Sequence, residues 1–382
     1  MGEVETPELR QIVDERVEER ATVHQPRNID YWARLLAYTV LVLVGQSSAI
    51  MLGGLYFNGG GGNIFLAAIL ESVGFPILIP ISIYCSSRHL QDVSTRQPGP
   101  SNKMVMAAIY IFLGLLQGAC SILYSIGLQQ LPVSTYSLIC ATQLGFNALF
   151  AFFLNSEKLT PPTLNALILL TISSALLIFQ PDHSKSRAGK GGAGNFMVGF
   201  SCTLAASTLY ALTLSLTQLI FVKIIKKETL CSVLYMIVFV SLTATCALLI
   251  PLSTGGEWRE VVREMETFDH GRAVYVVVVA MMAVASQLHL IGSIGLIFEV
   301  SSLFSNVIAT VGLPIVPILG VIFFHESMDG IMVISIILAI WGFTSYVYQY
   351  YFRDREIASR QIRPCVPPAD ESSQVSIPLS CF

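Results

Sequence analysis

Charge is what this 382-residue sequence most lacks: 12% of its residues are Asp, Glu, Lys or Arg, against about a quarter in an ordinary soluble domain. With 53% hydrophobic residues and a mean hydropathy of +0.66, the composition places the chain among integral membrane proteins. The net charge of −3 comes with no basic stripe, so nucleic acid is not an expected partner. The eight cysteines show no C-x-x-C spacing and mostly fall in apolar runs, where they act as small hydrophobes. Neither a metal site nor a disulfide framework is expected, and no cofactor is implied. The charged first 30 residues contain no basic stretch leading into an apolar one, so no cleaved signal peptide is expected and the first span directs insertion. H-E-x-x-H, G-x-S-x-G and paired intramembrane aspartates are missing too, and with them the support for an intramembrane enzyme.

What is present is a series of long apolar runs. A hydrocarbon core of about 30 Å takes about 20 helical residues, and ten runs of that scale can be counted: 31–57, 63–84, 104–129, 133–154, 161–180, 196–222, 229–252, 271–298, 302–324 and 330–352. The expected architecture is therefore an all-α integral membrane protein of ten transmembrane helices. With the N-terminus cytoplasmic, the two tails and the loops after spans 2, 4, 6 and 8 carry 15 Lys and Arg against 6 on the opposite side, which predicts that both termini are cytoplasmic. Residues 1–30 form a charged N-terminal tail, and residues 353–382, rich in Pro and Ser, a disordered C-terminal tail. The stretch GKGGAGN at 189–195 contains a formal G-x-G-x-x-G. No strand precedes it, so it reads as a link between halves rather than a dinucleotide site.

The transmembrane domain, residues 31–352, divides into halves at 31–180 and 196–352 that resemble each other. Val133-Ser134-Thr135 opens span 4 and is followed by Glu157 in NSEKLTP, while Val300-Ser301-Ser302 opens span 9 and is followed by Glu326 in FHESMDG, an offset of 167 to 169 residues. Five spans per half is an odd number, so the second half must insert upside down. Inverted repeats of this kind are a transporter signature, with the substrate near the midplane at the repeat interface.

Polar side chains near span centres are therefore the candidate binding residues: Gln46, Gln117, Gln143, Asn147, Tyr210 and Gln287, with Trp341 in span 10. In span 4, Tyr136, Cys140, Gln143 and Asn147 recur at i, i+4, i+7 and i+11, which puts an aromatic surface and two amides on one face of a continuous helix. Span 6 repeats the idea with Ser207, Tyr210 and Gln218. The competing reading is interhelical glue, worth about 0.6 kcal/mol per hydrogen bond. No Lys or Arg stands near a span centre, since Arg34 lies at a helix start, and this argues against phosphorylated substrates but not against neutral heteroaromatic bases. Among intramembrane groups able to carry a proton, Glu71 lies nearest the midplane. Glu299 is shallower and suits either proton coupling or capping of span 9 through free N–H groups near Ser301 and Ser302, whereas His289 reads as packing.

Five stretches, LYFNGGGGNIF (55–65), ESVGFPILIPI (71–81), LPVSTYSLICATQLGFNALFAFFLNSEKLTP (131–161), GLIFEVSSLFSNVIATVGLPIVPILGVIFFHESMDG (295–330) and AIWGFTSYVYQYY (339–351), resemble the plant purine permeases of the drug/metabolite transporter superfamily. The resemblance covers nearly all of residues 30–352. It implies ten helices in two inverted five-helix repeats, and proton-coupled uptake of adenine-type bases and cytokinins, with alkaloids or other nitrogen heterocycles as substrates of some members. On it, Glu299, Ser305 and Asn306 fall in the family's E-V-S-S-L-F-S-N run, and Gln143 and Asn147 in its span 4 run. Two departures stand out. Where the family has L-x-R-L-Y-F, this chain reads LGGLYF with Gly54, and Glu71 stands at a position where the pattern also accommodates glutamine, which shifts the proton-carrying role toward Glu299.

The expected function is a secondary active transporter of purine bases and cytokinins, proton-coupled and working by alternating access. Gln46, Gln143, Asn147, Tyr210, Gln287 and Asn306 are the expected substrate ligands, and Glu299 and Glu71 the expected proton carriers. The default location is the plasma membrane. The alternatives are an antiporter of nucleotide sugars or phosphorylated metabolites, which the lack of central basic residues disfavours, a transporter of other nitrogen heterocycles, and a heterocycle receptor.

Overall fold

In hydrocarbon every backbone N–H and C=O must be satisfied within the chain, and the apolar runs accordingly fold as helices. The computed structural model describes residues 29–84, 103–155, 161–176, 192–225, 230–254, 256–269, 271–324 and most positions from 330 to 348. The expected tails lie outside these residues apart from Ile29 and Asp30. Eight described helices are long and apolar enough to cross a membrane, matching expected spans 1–4 and 6–9. The outward faces of the bundle are apolar, as with Leu36, Val40 and Val44 along the first helix and Val276, Val277 and Met281 along a later one. The protein is thus a multi-pass, all-helical membrane protein.

The first span is α1 (Ile29–Asn58). The second is broken: α2 (Ile64–Leu70) ends on a turn at Glu71–Gly74 and resumes through a short 3-10 helix at Phe75–Leu78. Pro76 accounts for this break, because it has no N–H to donate and disfavours helix at the residue before it. The third span, α3 (Lys103–Gln130), is continuous. The fourth divides into α4 (Val133–Cys140) and α5 (Gln143–Asn155) around a tightened turn at Ala141–Thr142. There the backbone bonds contract to i→i+3, and the Thr142 hydroxyl donates back to Ile139 O at 2.7 Å, competing with the helix ladder. After α6 (Pro161–Leu176) comes α7 (Gly192–Ile220), which ends in a π-helical turn at Phe221–Ile225. The expected link at 189–195 is therefore already helical from Gly192 onward.

α8 (Leu230–Thr254) leads into a helix the span count did not foresee, α9 (Glu257–Thr267). Gly256 and Gly271, on either side of it, take φ of 77° and 85°, a backbone that side chains rarely adopt. α10 (Arg272–Glu299) is continuous, and the ninth span again breaks, into α11 (Ser302–Gly312) and α12 (Ile315–Phe324). Pro314 supplies this break. The described positions between 330 and 348 are helical, where the tenth span is expected.

Close approach of α1 and α10 organises the bundle. A Cβ on Gly45 would stand 2.8 Å from Ala285 O, and one on Gly292 would stand 2.8 Å from Tyr38 O. Small residues let the two backbones meet, as in membrane helix pairs generally. At the end of the bundle that carries the turn after α1, α9 is strapped across the surface. Its Glu264 accepts from Tyr56 Oη at 2.8 Å and from Gly62 N at 2.9 Å, and its Glu257 accepts from Asn63 Nδ2 at 2.8 Å. At the opposite end Arg34 and Glu299 form an ion pair, 2.8 Å apart. These ends are called below the Tyr56 face and the Arg34 face.

Candidate functional site

Two of the helix breaks open onto one cavity at mid-bundle depth. Non-helical backbone at that depth is tolerated only where it is buried in protein or lines a cavity, so the breaks themselves mark the place. The cavity is partly open, and its empty space, open solvent included, is about 680 Å³. Gln46 comes from the middle of α1, Gln117 from that of α3, Tyr210 from that of α7, and Ser286 and His289 from that of α10. Glu71, the cap residue that ends α2, brings a carboxylate, while Cys140 and Gln143 stand on either side of the α4–α5 turn. Among the described residues, no Lys or Arg lines it.

Its chemistry is aromatic and amide. Tyr124 packs edge-to-face against both Tyr136 and Tyr210, with centroids 6.0 and 6.3 Å away, and Tyr210 stacks with His289 at 6.3 Å. Tyr210 Oη and His289 Nε2 are 3.1 Å apart, and Tyr124 Oη donates to Gln143 Oε1 at 3.3 Å. Gln46 Oε1 and Gln143 Nε2 are buried with no hydrogen-bond partner among the described residues. One is an acceptor and the other a donor, so the wall offers both halves of an amide's pairing capacity to whatever enters.

Of the residues expected from the sequence, Gln46, Gln143, Tyr210 and Glu71 line this cavity, and Asn147, Gln287, Asn306 and Glu299 do not. For Asn147 the turn at Ala141–Thr142 is the reason: it resets the helical phase, so the face shared with Tyr136 and Cys140 does not continue. Asn147 instead donates to Ser302 O at 3.0 Å and accepts from Ser215 Oγ at 2.8 Å, and Asn306 donates to Gln143 O at 3.0 Å. Gln287 is buried on the neighbouring side of α10, against Gly74. Glu299 is not the cap of span 9. Ser301 takes that role, accepting from Phe304 N, while Gln218 Oε1 accepts from Ser302 N at 2.8 Å and Glu299 pairs with Arg34. Trp341 is 69% exposed on the outer surface.

Three polar lining residues, His289, Tyr124 and Ser286, escaped the sequence reading. His289, expected to be packing, is a wall residue, and Tyr124 was not singled out at all. The signal for Tyr124 was its position seven residues after Gln117 on an uninterrupted helix, which places both on one face.

A membrane-crossing helical bundle whose broken helices meet at a polar midplane cavity has the architecture of a membrane transporter. Comparison with known proteins makes this particular. The sequence matches the family described as purine nucleobase transmembrane transport (PUNUT) over residues 33–356. Among curated proteins of Arabidopsis thaliana it is 47% identical over 361 residues to probable purine permease 10, covering 93% of this chain and 91% of that one. It is likewise 47% identical over 351 residues to purine permease 21, covering 90% and 89%, and 41% identical over 376 residues to probable purine permease 6, covering 98% and 97%. The chain belongs to the purine nucleobase transmembrane transport family, a family of transporters rather than enzymes, as its sequence motifs indicated.

Proposed function

We propose that this protein carries purine bases across the membrane by alternating access, with ten spans arranged as two inverted five-helix repeats. One observation supports this reading above the rest: a midplane cavity at two helix breaks, walled by tyrosines and glutamines and, among the described residues, free of Lys and Arg. A flat, neutral heteroaromatic ring stacks on Tyr136 or Tyr210 and pairs its edge with Gln46 Oε1 and Gln143 Nε2. Neutral amides avoid the cost of burying full charges. A phosphorylated metabolite or nucleotide sugar would find no cation there, which disfavours the antiporter alternative. Relatives named purine permeases support the same substrate class, and cytokinins are purines that the cavity's mouth would have to admit with their side chains.

Proton coupling falls to Glu71 in this reading. It shares the cavity with the substrate, so one conformational cycle carries both, whereas Glu299 sits outside in an ion pair. The Arg34 face is taken as cytoplasmic from the loop charges, both termini lie on that side, and the protein works at the plasma membrane in uptake. The test is uptake of labelled adenine into proteoliposomes with and without an inward pH gradient. Accumulation that the gradient drives supports the reading, and protein that binds adenine without moving it would leave a receptor instead.

A further inference from the structure

Gln143 is engaged at two points. Its side chain lines the cavity, and its backbone carbonyl accepts from Asn306 Nδ2 at 3.0 Å. Asn147, one turn further along α5, donates to the carbonyl of Ser302 at 3.0 Å. The pattern is reciprocal. Gln143 is the first residue of α5 and Ser302 the first of α11, and each is gripped by the asparagine four positions along the other half-helix. The same sequence separation divides Gln143 from Ser302 as divides Asn147 from Asn306. Exchange of this kind is what a two-fold relation between two segments generates, residue i meeting j and j meeting i. It also runs in a register about two helical turns away from the one that pairs Val133 with Val300.

Both grips are buried. Asn147, Asn306 and Ser302 have no exposed surface, so opening them strands amide donors and carbonyls away from water, and a group left so is costly. Each bond is therefore costly to open while water is excluded. Further links lie beside them: Ser302 N to Gln218 Oε1 at 2.8 Å, Ser215 Oγ to Asn147 Oδ1 at 2.8 Å, and the Arg34–Glu299 pair one short link away from Ser302. Gln143 is the sole residue here that belongs to both the cavity and the grip. Because it starts a half-helix directly after a two-residue turn, a ligand that repositions its side chain moves the carbonyl Asn306 holds without dragging α4 along.

We propose that Asn147 and Asn306 are positioning residues that form a reciprocal clasp between α5 and α11, closing the Arg34 face, and that Gln143 transmits occupancy of the cavity to this clasp. The inference rests on the cavity being the purine site.

Ser302→Cys supplies the probe, since the change leaves the backbone contacts of residue 302 in place and the position is fully buried while the clasp is closed. In vesicles that expose the Arg34 face, an impermeant maleimide is added and labelling is read by mass spectrometry at the peptide that carries residue 302. Adenine changes the labelling rate in the S302C protein, and adding Asn306→Ala or Asn147→Ala raises it roughly tenfold without adenine and abolishes the adenine effect. If either alanine variant fails to purify as a monodisperse protein, the other reads the same clasp from its second arm. Labelling that stays at the S302C rate in the alanine variants, while adenine still alters it, overturns the clasp and leaves the purine site standing. Adenine that binds in equilibrium dialysis yet leaves labelling unchanged overturns the coupling through Gln143. Failure of adenine to bind overturns the purine reading instead, and the basal rates of the alanine variants then decide the clasp alone.

Discussion

Arg34 Nε donates to Glu299 Oε1 at 2.8 Å, joining the start of α1 to the last residue of α10. Glu299 is nearly buried and Arg34 half exposed, with side-chain exposures of 9% and 52%, so the carboxylate depends on this partner more than the guanidinium does. Glu299→Gln is expected to slow adenine uptake several-fold while leaving its stimulation by a pH gradient intact. The double exchange Arg34→Glu with Glu299→Arg is expected to recover part of the rate. Uptake by Glu299→Gln that no longer responds to the gradient would return the proton to Glu299.

Glu71→Gln removes the cavity's carboxylate with little change of shape. The expected result is adenine exchange near the normal rate but no accumulation driven by an inward proton gradient. Paired measurements of counterflow and net uptake in the same proteoliposomes separate the two. Gradient-driven accumulation by this variant would exclude Glu71 as the carrier.

Gln143→Leu deletes the Nε2 donor and the Oε1 that accepts from Tyr124 Oη, yet keeps the backbone carbonyl that Asn306 holds. Adenine affinity is expected to fall roughly tenfold, the scale of one lost hydrogen bond in a desolvated site, with the melting temperature little changed. Tyr210→Phe, which breaks the contact with His289, is expected to weaken binding less. Equilibrium binding and thermal unfolding in detergent measure both.

Gly45→Val and Gly292→Val test the α1–α10 crossing. Each would drive a side chain into backbone atoms of the facing helix, and overpacking of this sort costs about 1–3 kcal/mol. A lowered melting temperature is expected for both. Gly45→Val should also depress adenine binding, because the Cβ would meet the backbone of His289, a cavity residue.

The strap at the Tyr56 face makes its own prediction. Glu264→Ala removes the acceptor of both Tyr56 Oη and Gly62 N, and hydrogen exchange at the amides of residues 59–63 is expected to quicken. Unchanged protection there would mean that the bonds from Asp269 N to Gly59 O and from Gln129 Nε2 to Gly62 O, with the packing of Met265 and Phe268, suffice to hold the turn.

Much of this could be read in the sequence because membrane solvation leaves few choices. Long apolar runs must be helices, and polar residues at their centres must find partners or ligands, so Gln46, Glu71, Gln143 and Tyr210 could be placed before any coordinates. What escaped was governed by backbone breaks. The turn at Ala141–Thr142 contains no proline, and without it Asn147 projects onto the cavity face, whereas with it Asn147 reaches across to Ser302. The break at Pro314 had a visible cause, but it does not place Asn306, which lies inside α11 and meets Gln143 O on the half-helix opposite. α9 carried a legible signal in Trp258, Val261, Val262 and Met265, whose spacing is that of an amphipathic helix, but a count of apolar spans passes over a segment with so many charges. Glu299 found a cation 265 residues earlier in the chain, a pairing that no local pattern announces.

Gly54 has a consequence for how this branch of the family can change. A Cβ there would overlap Val133 Cγ2 and stand 3.4 Å from the Phe324 ring, so two side chains from other spans fill the space beside Gly54. A larger residue at position 54 is then not a single step. Position 133 must first give way, and the two sites are bound to change as a pair.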